Sequence, residues 1–200
     1  VTEPAVQQQN RSSATAAQAK YQVRFDWGSQ GAAAVARDAD IVVWVDVLPS
    51  EGADTPVLAS LADASPTAAV VLGGLNTASA VAAWILAEQV RLGRRAMISV
   101  IAAGAISPSG VQRFAVEDQL GAGAVIDALA ALGLDYTSPE AAAACAAFLG
   151  LRGAVAHLLT ASVSGQEAIA AGHMQADLAA LGRLDTSSAV TVLRAAPAAE

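Results

Sequence analysis

Two short runs, Ile41-Val-Val-Trp-Val-Asp-Val47 and Met97-Ile-Ser-Val-Ile-Ala102, are almost unbroken in apolar and mostly β-branched residues. A strand with one wet face alternates apolar and polar, whereas a strand covered on both faces has no reason to. Both runs therefore predict central strands of a parallel sheet sandwiched by helices. Ala69-Val-Val-Leu72 has the same character, Tyr21 to Trp27 alternates like a half-buried strand, and Ala189-Val-Thr-Val-Leu193 reads as a last strand.

Helical segments fall between these runs. One opens at Gly28-Ser29 and ends near Arg37. A second starts at Asn76, a residue able to cap it, and closes near Gly93 with Arg91, Arg94 and Arg95 at its negative end. Val116 to Leu132 is a third, and Ser138-Pro139-Glu140 opens a fourth with a cap, a Pro and an acid in order. Ser164-Gly-Gln-Glu167 fits the capping-box pattern of a fifth. Strands alternating with helices predict an α/β protein, three-layer α/β/α with a mixed, mainly parallel sheet. Residues 20–200 read as one domain. Val1 to about Ala19 reads as a mobile tail, and Pro49 to Pro56 as a loop.

Hydrophobic residues make up 54% of the 200 and charged residues 14%. With the 51 Ala set aside the apolar share falls to about 28%, still above the ~20% below which disorder is expected. A core of Val, Leu and Ile is therefore available, and the Ala faces suit close helix contacts within a subunit or across a homodimer. A net charge of −7 argues against nucleic acid or an anionic membrane as partner. The longest uncharged stretch, Ala64 to Ala87, is punctuated by Ser, Thr, Pro, Asn and Gly and reads as soluble. The single Cys145 excludes an internal disulfide and is expected to be a small helix filler. With no apolar leader visible, a cytoplasmic location is the expectation.

Chemistry has four candidate seats. Asp46 lies at the carboxyl end of a buried strand, where open α/β sheets bind ligands, and could hold Mg²⁺ or act in acid–base work. It could equally cap the amides of the next loop. Gly104 to Gly110 is a small-residue loop leading to Glu117-Asp118, which could join a site or merely complement a helix dipole. Ser162-Val-Ser164-Gly165 could hold an anion at a helix N-terminus or serve as an ordinary cap. Gly73-Gly-Leu-Asn76 is a similar, weaker case without the spacing of a nucleotide-binding loop. His157 and His173 lack a second ligand at helical spacing, and no Gly-x-Ser-x-Gly elbow is present.

In order along the chain stand Asp40-Ile-Val-Val-Trp-Val-Asp-Val-Leu48, Gly73-Gly-Leu-Asn-Thr-Ala-Ser-Ala-Val81, Gly104 to Gly110, Ala115-Val-Glu-Asp118, Leu120-Gly-Ala-Gly-Ala-Val-Ile126, Ser162-Val-Ser-Gly165, Gly172 and Asp177. Together they resemble the 2-phosphosulfolactate phosphatase (ComB-like) family, and Tyr21 to Gly28 resembles the opening strand of its Ala-rich actinobacterial members. The resemblance runs from Tyr21 to Leu193 and is most specific over Val116 to Ile126. It implies an α/β/α fold and Mg²⁺-dependent hydrolysis of a small anionic phosphate ester, 2-phosphosulfolactate to sulfolactate and phosphate, on a coenzyme M pathway. It also implies catalytic roles for Asp46 and Glu117, and a metal held by Asp46, Glu117 and Asp118. Asn76, Gly104 and Gly110 match substrate-side positions, to which Ser162 and Ser164 add hydroxyls. The chain departs from the family after Leu48: only 24 residues lead to Gly73, and hydroxyl- and amide-rich segments are missing. A second expectation therefore stands beside the first, a catalytically degraded homologue that keeps the fold and binds a small anion or serves structurally.

Overall fold

The computed structural model describes residues 18–48, 59, 61, 65–107 and 109–197. Five strands form the main sheet: β1 (Val23–Trp27), β2 (Ile41–Val45), β3 (Ala69–Gly73), β4 (Ile98–Ala102) and β7 (Val192–Arg194), in the order β1-β4-β2-β3-β7. The first four run parallel, and β7 pairs antiparallel with β3 at the edge. The sheet is thus mixed and mostly parallel, with β2 and β4 inside it as the unbroken runs require.

Alternation explains why those runs carry no polar face. Ile41, Val43 and Val45 join one buried cluster, while Val42 and Trp44 join another on the opposite side. The larger cluster packs under α2 (Ala78–Leu92), α3 (Val116–Ala131) and α4 (Pro139–Leu151). On the other face lies α1 (Gly28–Val35), through Ala32 and Val35. Helices α5 (Val155–Ala161), α6 (Val163–Ala170) and α7 (Gln175–Leu181) follow, and a two-stranded hairpin, β5 (Ala105–Ile106) with β6 (Gln112–Arg113), bridges β4 and α3.

Helix α3 is the most enclosed, and its glycines show why. A Cβ on Gly121 would press on Val45 and Val47, and one on Gly123 would meet the Ala144 backbone and Phe148 of α4. Small residues let one helix touch sheet and neighbouring helix at once. The helical stretch Pro139–Ala170 is long and apolar enough by composition to cross a membrane. It is divided by a 3-10 turn at Arg152–Ala154 and by Ser162, and Ala141, Ala144, Phe148, Val155 and Leu159 enter the larger core.

Several expectations shift in detail. Helix α2 is not capped by Asn76, which sits in a 3-10 turn (Leu75–Thr77) ahead of it. Asp185, 106 residues downstream of Ser79, caps it instead: its carboxylate accepts from Ser79 N and Ser79 Oγ, both at 2.7 Å. The cap of α6 is Ser162, whose Oγ accepts from Gly165 N at 3.0 Å, so Ser164 falls within the first turn rather than at the cap. The last strand lies at Val192–Arg194, later than the pattern Ala189 to Leu193. Gln18 and Ala19 belong to the body rather than to a tail. The Gln18 amide exchanges hydrogen bonds with both the N–H and C=O of Phe25, and Ala19 O accepts from the buried Arg24. The rest of the tail, residues 1–17, and the Pro49 to Pro56 loop lie outside the described residues.

Gly93 ends α2 in the left-handed conformation with Arg91 in the last turn, and Ser138 caps α4 by accepting from Ala141 N at 3.1 Å, both as the sequence predicts.

Candidate functional site

The carboxyl ends of β1, β2 and β4 open onto a cavity of about 440 Å³. Gly28 and Ser29 line it from the start of α1, Trp44, Asp46 and Leu48 from β2 and its exit, and Ala103 to Ile106 from the exit of β4. Glu117 and Asp118 enter from the first turn of α3, Gln112 from the hairpin, and Ser164 and Glu167 from α6. Asp46 and Glu117-Asp118, about 70 residues apart in sequence, line the same cavity.

Asp118 is 2% exposed and ties two strand exits together. Its Oδ1 accepts from Val47 N and its Oδ2 from Gly104 N, both at 2.8 Å. Burial pushes its carboxyl well above the ordinary range; the Val47 N–H pulls it back, the charges of Asp46 and Glu117 raise it further, and the Gly104 N–H again opposes. With one lone pair of each oxygen already used, Asp118 primarily shapes the wall. Glu117 differs. It too is 2% exposed, yet its Oε2 is buried without a hydrogen-bond partner. Buried carboxylate oxygens are normally paired, so this atom marks a place where a ligand atom, proton or cation fits.

A second buried atom of this kind is Nε1 of Trp44, another lining residue of the cavity. Above it the hairpin is held by Gln112, whose Nε2 donates to Ala103 O at 2.7 Å. Gly28 and Gly104 both adopt positive φ, and a Cβ on either would collide with the Gln112 amide. These two positions therefore need glycine twice over, for backbone conformation and for room. Next to Gln112, Arg113 reaches Glu167 at 3.2 Å and Ser164 Oγ at 3.3 Å.

The remaining sequence candidates are more scattered. Asn76 lines a separate cavity of about 200 Å³ with Asp46, Val47, Gly74, Leu75 and Leu181. Gly110 lies at the exposed hairpin turn with φ +78°, donating to Ser107 O at 2.8 Å, and is not a lining residue of the main cavity. Ser162 is buried and its hydroxyl is committed to Gly165 N and Leu159 O. Cys145 is half-buried, its thiol pushed up by burial and by Asp127. His157 and His173 are exposed. Among the described residues no three His, Cys, Asp or Glu side chains gather closely enough to enclose a metal ion.

Sequence reasoning passed over Trp44, Gln112, Arg113 and Glu167 as site residues. Trp44 and Glu167 stood in plain view as a strand filler and a capping-box acid, but a bland role accounted for each. The hairpin carries no hydrophobic period from which its place could be read.

A family model described as 2-phosphosulpholactate phosphatase matches residues 55–196, the part that contains β3, α2, β4, the hairpin and every helix from α3 onward. No curated protein matches the chain.

Proposed function

The chain belongs to the 2-phosphosulpholactate phosphatase family, and on that premise we propose that the main cavity hydrolyses a small acidic phosphate ester with Mg²⁺ bound at its carboxylate wall. The supporting observation is Glu117 Oε2, a buried acceptor without a partner beside two further carboxylates.

The donor set fits Mg²⁺ better than it fits zinc. Mg²⁺ keeps much of its water and binds through one or two carboxylates plus substrate phosphate, whereas structural zinc needs an enclosing set of N and S ligands. Asp46 and Glu117 would hold the ion, with Asp118 fixing the loops that carry Asp46 and Gly104. When bound, Mg²⁺ supplies charge that offsets the phosphate and lowers the pKa of a nearby water. With the ion held chiefly by Asp46, Glu117 would accept a proton from the attacking water. As the water oxygen bonds to phosphorus the P–O bond to the ester oxygen breaks, and the proton taken from water passes to that oxygen, so that the alcohol and inorganic phosphate leave. The hairpin contributes Ala105, Ile106 and Gln112 to the cavity lining. The single cysteine and the family's soluble enzyme character support a cytoplasmic setting.

The test is phosphate release from 2-phosphosulfolactate, with and without a chelator. Chelator-sensitive release that Glu117→Gln abolishes supports the reading. Absence of release from this or other small phosphate esters, in a protein that still binds phosphate, would select the non-catalytic anion-binding homologue. The short connection between Leu48 and Gly73 favours that second reading.

A further inference from the structure

Gln112 is an exposed residue, yet its amide is wedged into the fold. Its Nε2 donates to Ala103 O at 2.7 Å. Gly28 and Gly104, both at positive φ, leave the space that the amide fills, since a Cβ on either would fall on it. Ala103 O and Gly104 N belong to one peptide group. The N–H of that group donates to Asp118 Oδ2, and Asp118 Oδ1 accepts from Val47 N, each at 2.8 Å. Val47 N in turn shares a peptide group with the carbonyl of Asp46. An unbroken chain of hydrogen bonds therefore runs from the hairpin, through the exit of β4 and Asp118, to the backbone of Asp46. Hydrogen bonds in series polarise one another, so a donor on the Ala103 carbonyl makes the Gly104 N–H a better donor to the carboxylate.

We propose that Gln112 is a positioning residue for the cavity carboxylates: its amide fixes the Ala103–Gly104 peptide, which holds Asp118 and through it the peptide that follows Asp46. Neighbouring side chains on a strand point to opposite faces, and this separates the task from anchoring the hairpin. Arg113 has other partners, Glu167 at 3.2 Å and Ser164 Oγ at 3.3 Å, and the ring centroids of Phe114 and Trp27 are 5.1 Å apart. The hairpin thus keeps two attachments when the Gln112 amide is removed. The consequence for Mg²⁺ rests on the phosphatase reading above; the hydrogen-bond chain does not.

Gln112→Met fills the same space without a donor. In the metal-free full chain, amide hydrogen exchange followed by NMR is expected to quicken about fivefold at Gly104 and Val47, roughly the worth of one hydrogen bond, and to stay unchanged at Val100 inside β4. Calorimetric titration with MgCl₂ alone should show affinity falling by a similar factor. Gly28→Ala reaches the same chain by pushing the amide aside. It should weaken Mg²⁺ binding in the wild-type background but not in Gln112→Ala, where no amide remains to be displaced. Unchanged exchange at Gly104 or Val47 overturns the assignment, as does quickening throughout the sheet. Unchanged Mg²⁺ affinity in a chain that binds the ion, or equal losses from Gly28→Ala in both backgrounds, overturns it too. A wild-type chain that binds no Mg²⁺ while the exchange pattern holds defeats the metal reading and leaves the hydrogen-bond chain standing.

Discussion

Asp40 and Asp118 do the same structural work at opposite ends of the central strand pair, under opposite electrostatics. Asp40 precedes β2 and its Oδ2 accepts from Met97 N, just ahead of β4, at 2.8 Å. Asp118 accepts from Val47 N just past β2 and from Gly104 N just past β4. Each aspartate therefore ties the flank of β2 to that of β4. At the amino end Arg94 meets both oxygens of Asp40, at 2.6 and 2.8 Å. Burial would raise the Asp40 carboxyl, but the Arg94 and Met97 hydrogen bonds outweigh it and hold it below the ordinary range. At the carboxyl end the charges acting on Asp118 are those of Asp46 and Glu117, and its carboxyl is pushed well up. One latch has a cation of the protein beside it. The other has carboxylates beside it, and a bound cation would lower its carboxyl again.

The largest expected effect comes from removing charge at the carboxyl end. Glu117→Gln should cost at least a hundredfold in any Mg²⁺-dependent hydrolysis, about 2.7 kcal/mol of transition-state stabilisation. The same change should raise the unfolding midpoint of the metal-free protein, because it deletes a buried charge that repels Asp118. Activity and stability then move in opposite directions, which assays of phosphate release and thermal melts read independently. A variant that is both less stable and fully active would break the comparison.

Asp118→Ala tests the latch itself. It frees two backbone N–H groups, at Val47 and Gly104, from a charged acceptor in a buried setting. A loss of about 2–3 kcal/mol is expected, less than two intact charge-assisted bonds would give because desolvation and repulsion are relieved together. Urea unfolding should show this as a lower midpoint with an unchanged slope.

The asymmetry of the two ends also explains what was legible in the sequence. β2 and β4 were readable because burial on both faces leaves a local signature in residues such as Ile41, Val42 and Val43. β7 was misplaced because a three-residue edge strand with half-exposed side chains leaves almost none. The cap of α2 was hidden for another reason: Asp185 is remote in sequence, while Asn76 offered a local answer that tertiary structure overrode. Asp46, Glu117 and Asp118 were legible as acids at strand exits, yet nothing local separates a dipole-matching acid in a first turn from a buried latch. Only the positions of Val47 N and Gly104 N make that distinction. Trp44 was legible as core, and its unpaired N–H was not, since an unmet hydrogen bond is a property of neighbours.

The pH dependence should differ in sign at the two ends. Asp118 has a raised carboxyl, so its folded form favours the proton; its contribution is fully present below the unfolded value near 3.9 and is lost as pH rises through the folded value. Metal-free melting temperature should therefore decline with rising pH over that window. Asp118→Asn should flatten the decline, and MgCl₂ should oppose it most strongly at the higher pH. An identical pH profile for wild type and Asp118→Asn would remove the electrostatic half of the comparison.

The smallest effect is expected at the amino end. Asp40 has a lowered carboxyl, so its contribution is present above the unfolded value and is lost as pH falls through the folded one. Arg94 is 57% exposed while the Asp40 side chain is 16% exposed, so solvent screens much of the pair. Asp40→Asn keeps an acceptor for Met97 N and gives up the charge; about 0.5–1 kcal/mol should be lost at neutral pH, falling toward zero in acid. Added salt should shrink the difference further, because an exposed guanidinium is reached by counterions. MgCl₂ at equal ionic strength should do no more than NaCl here, since Arg94 already occupies the place a cation would take. A specific Mg²⁺ response at Asp40, or a loss matching that of Asp118→Ala, would show that the two latches are electrostatically alike and that the neighbouring carboxylates at the carboxyl end are not what distinguishes the site.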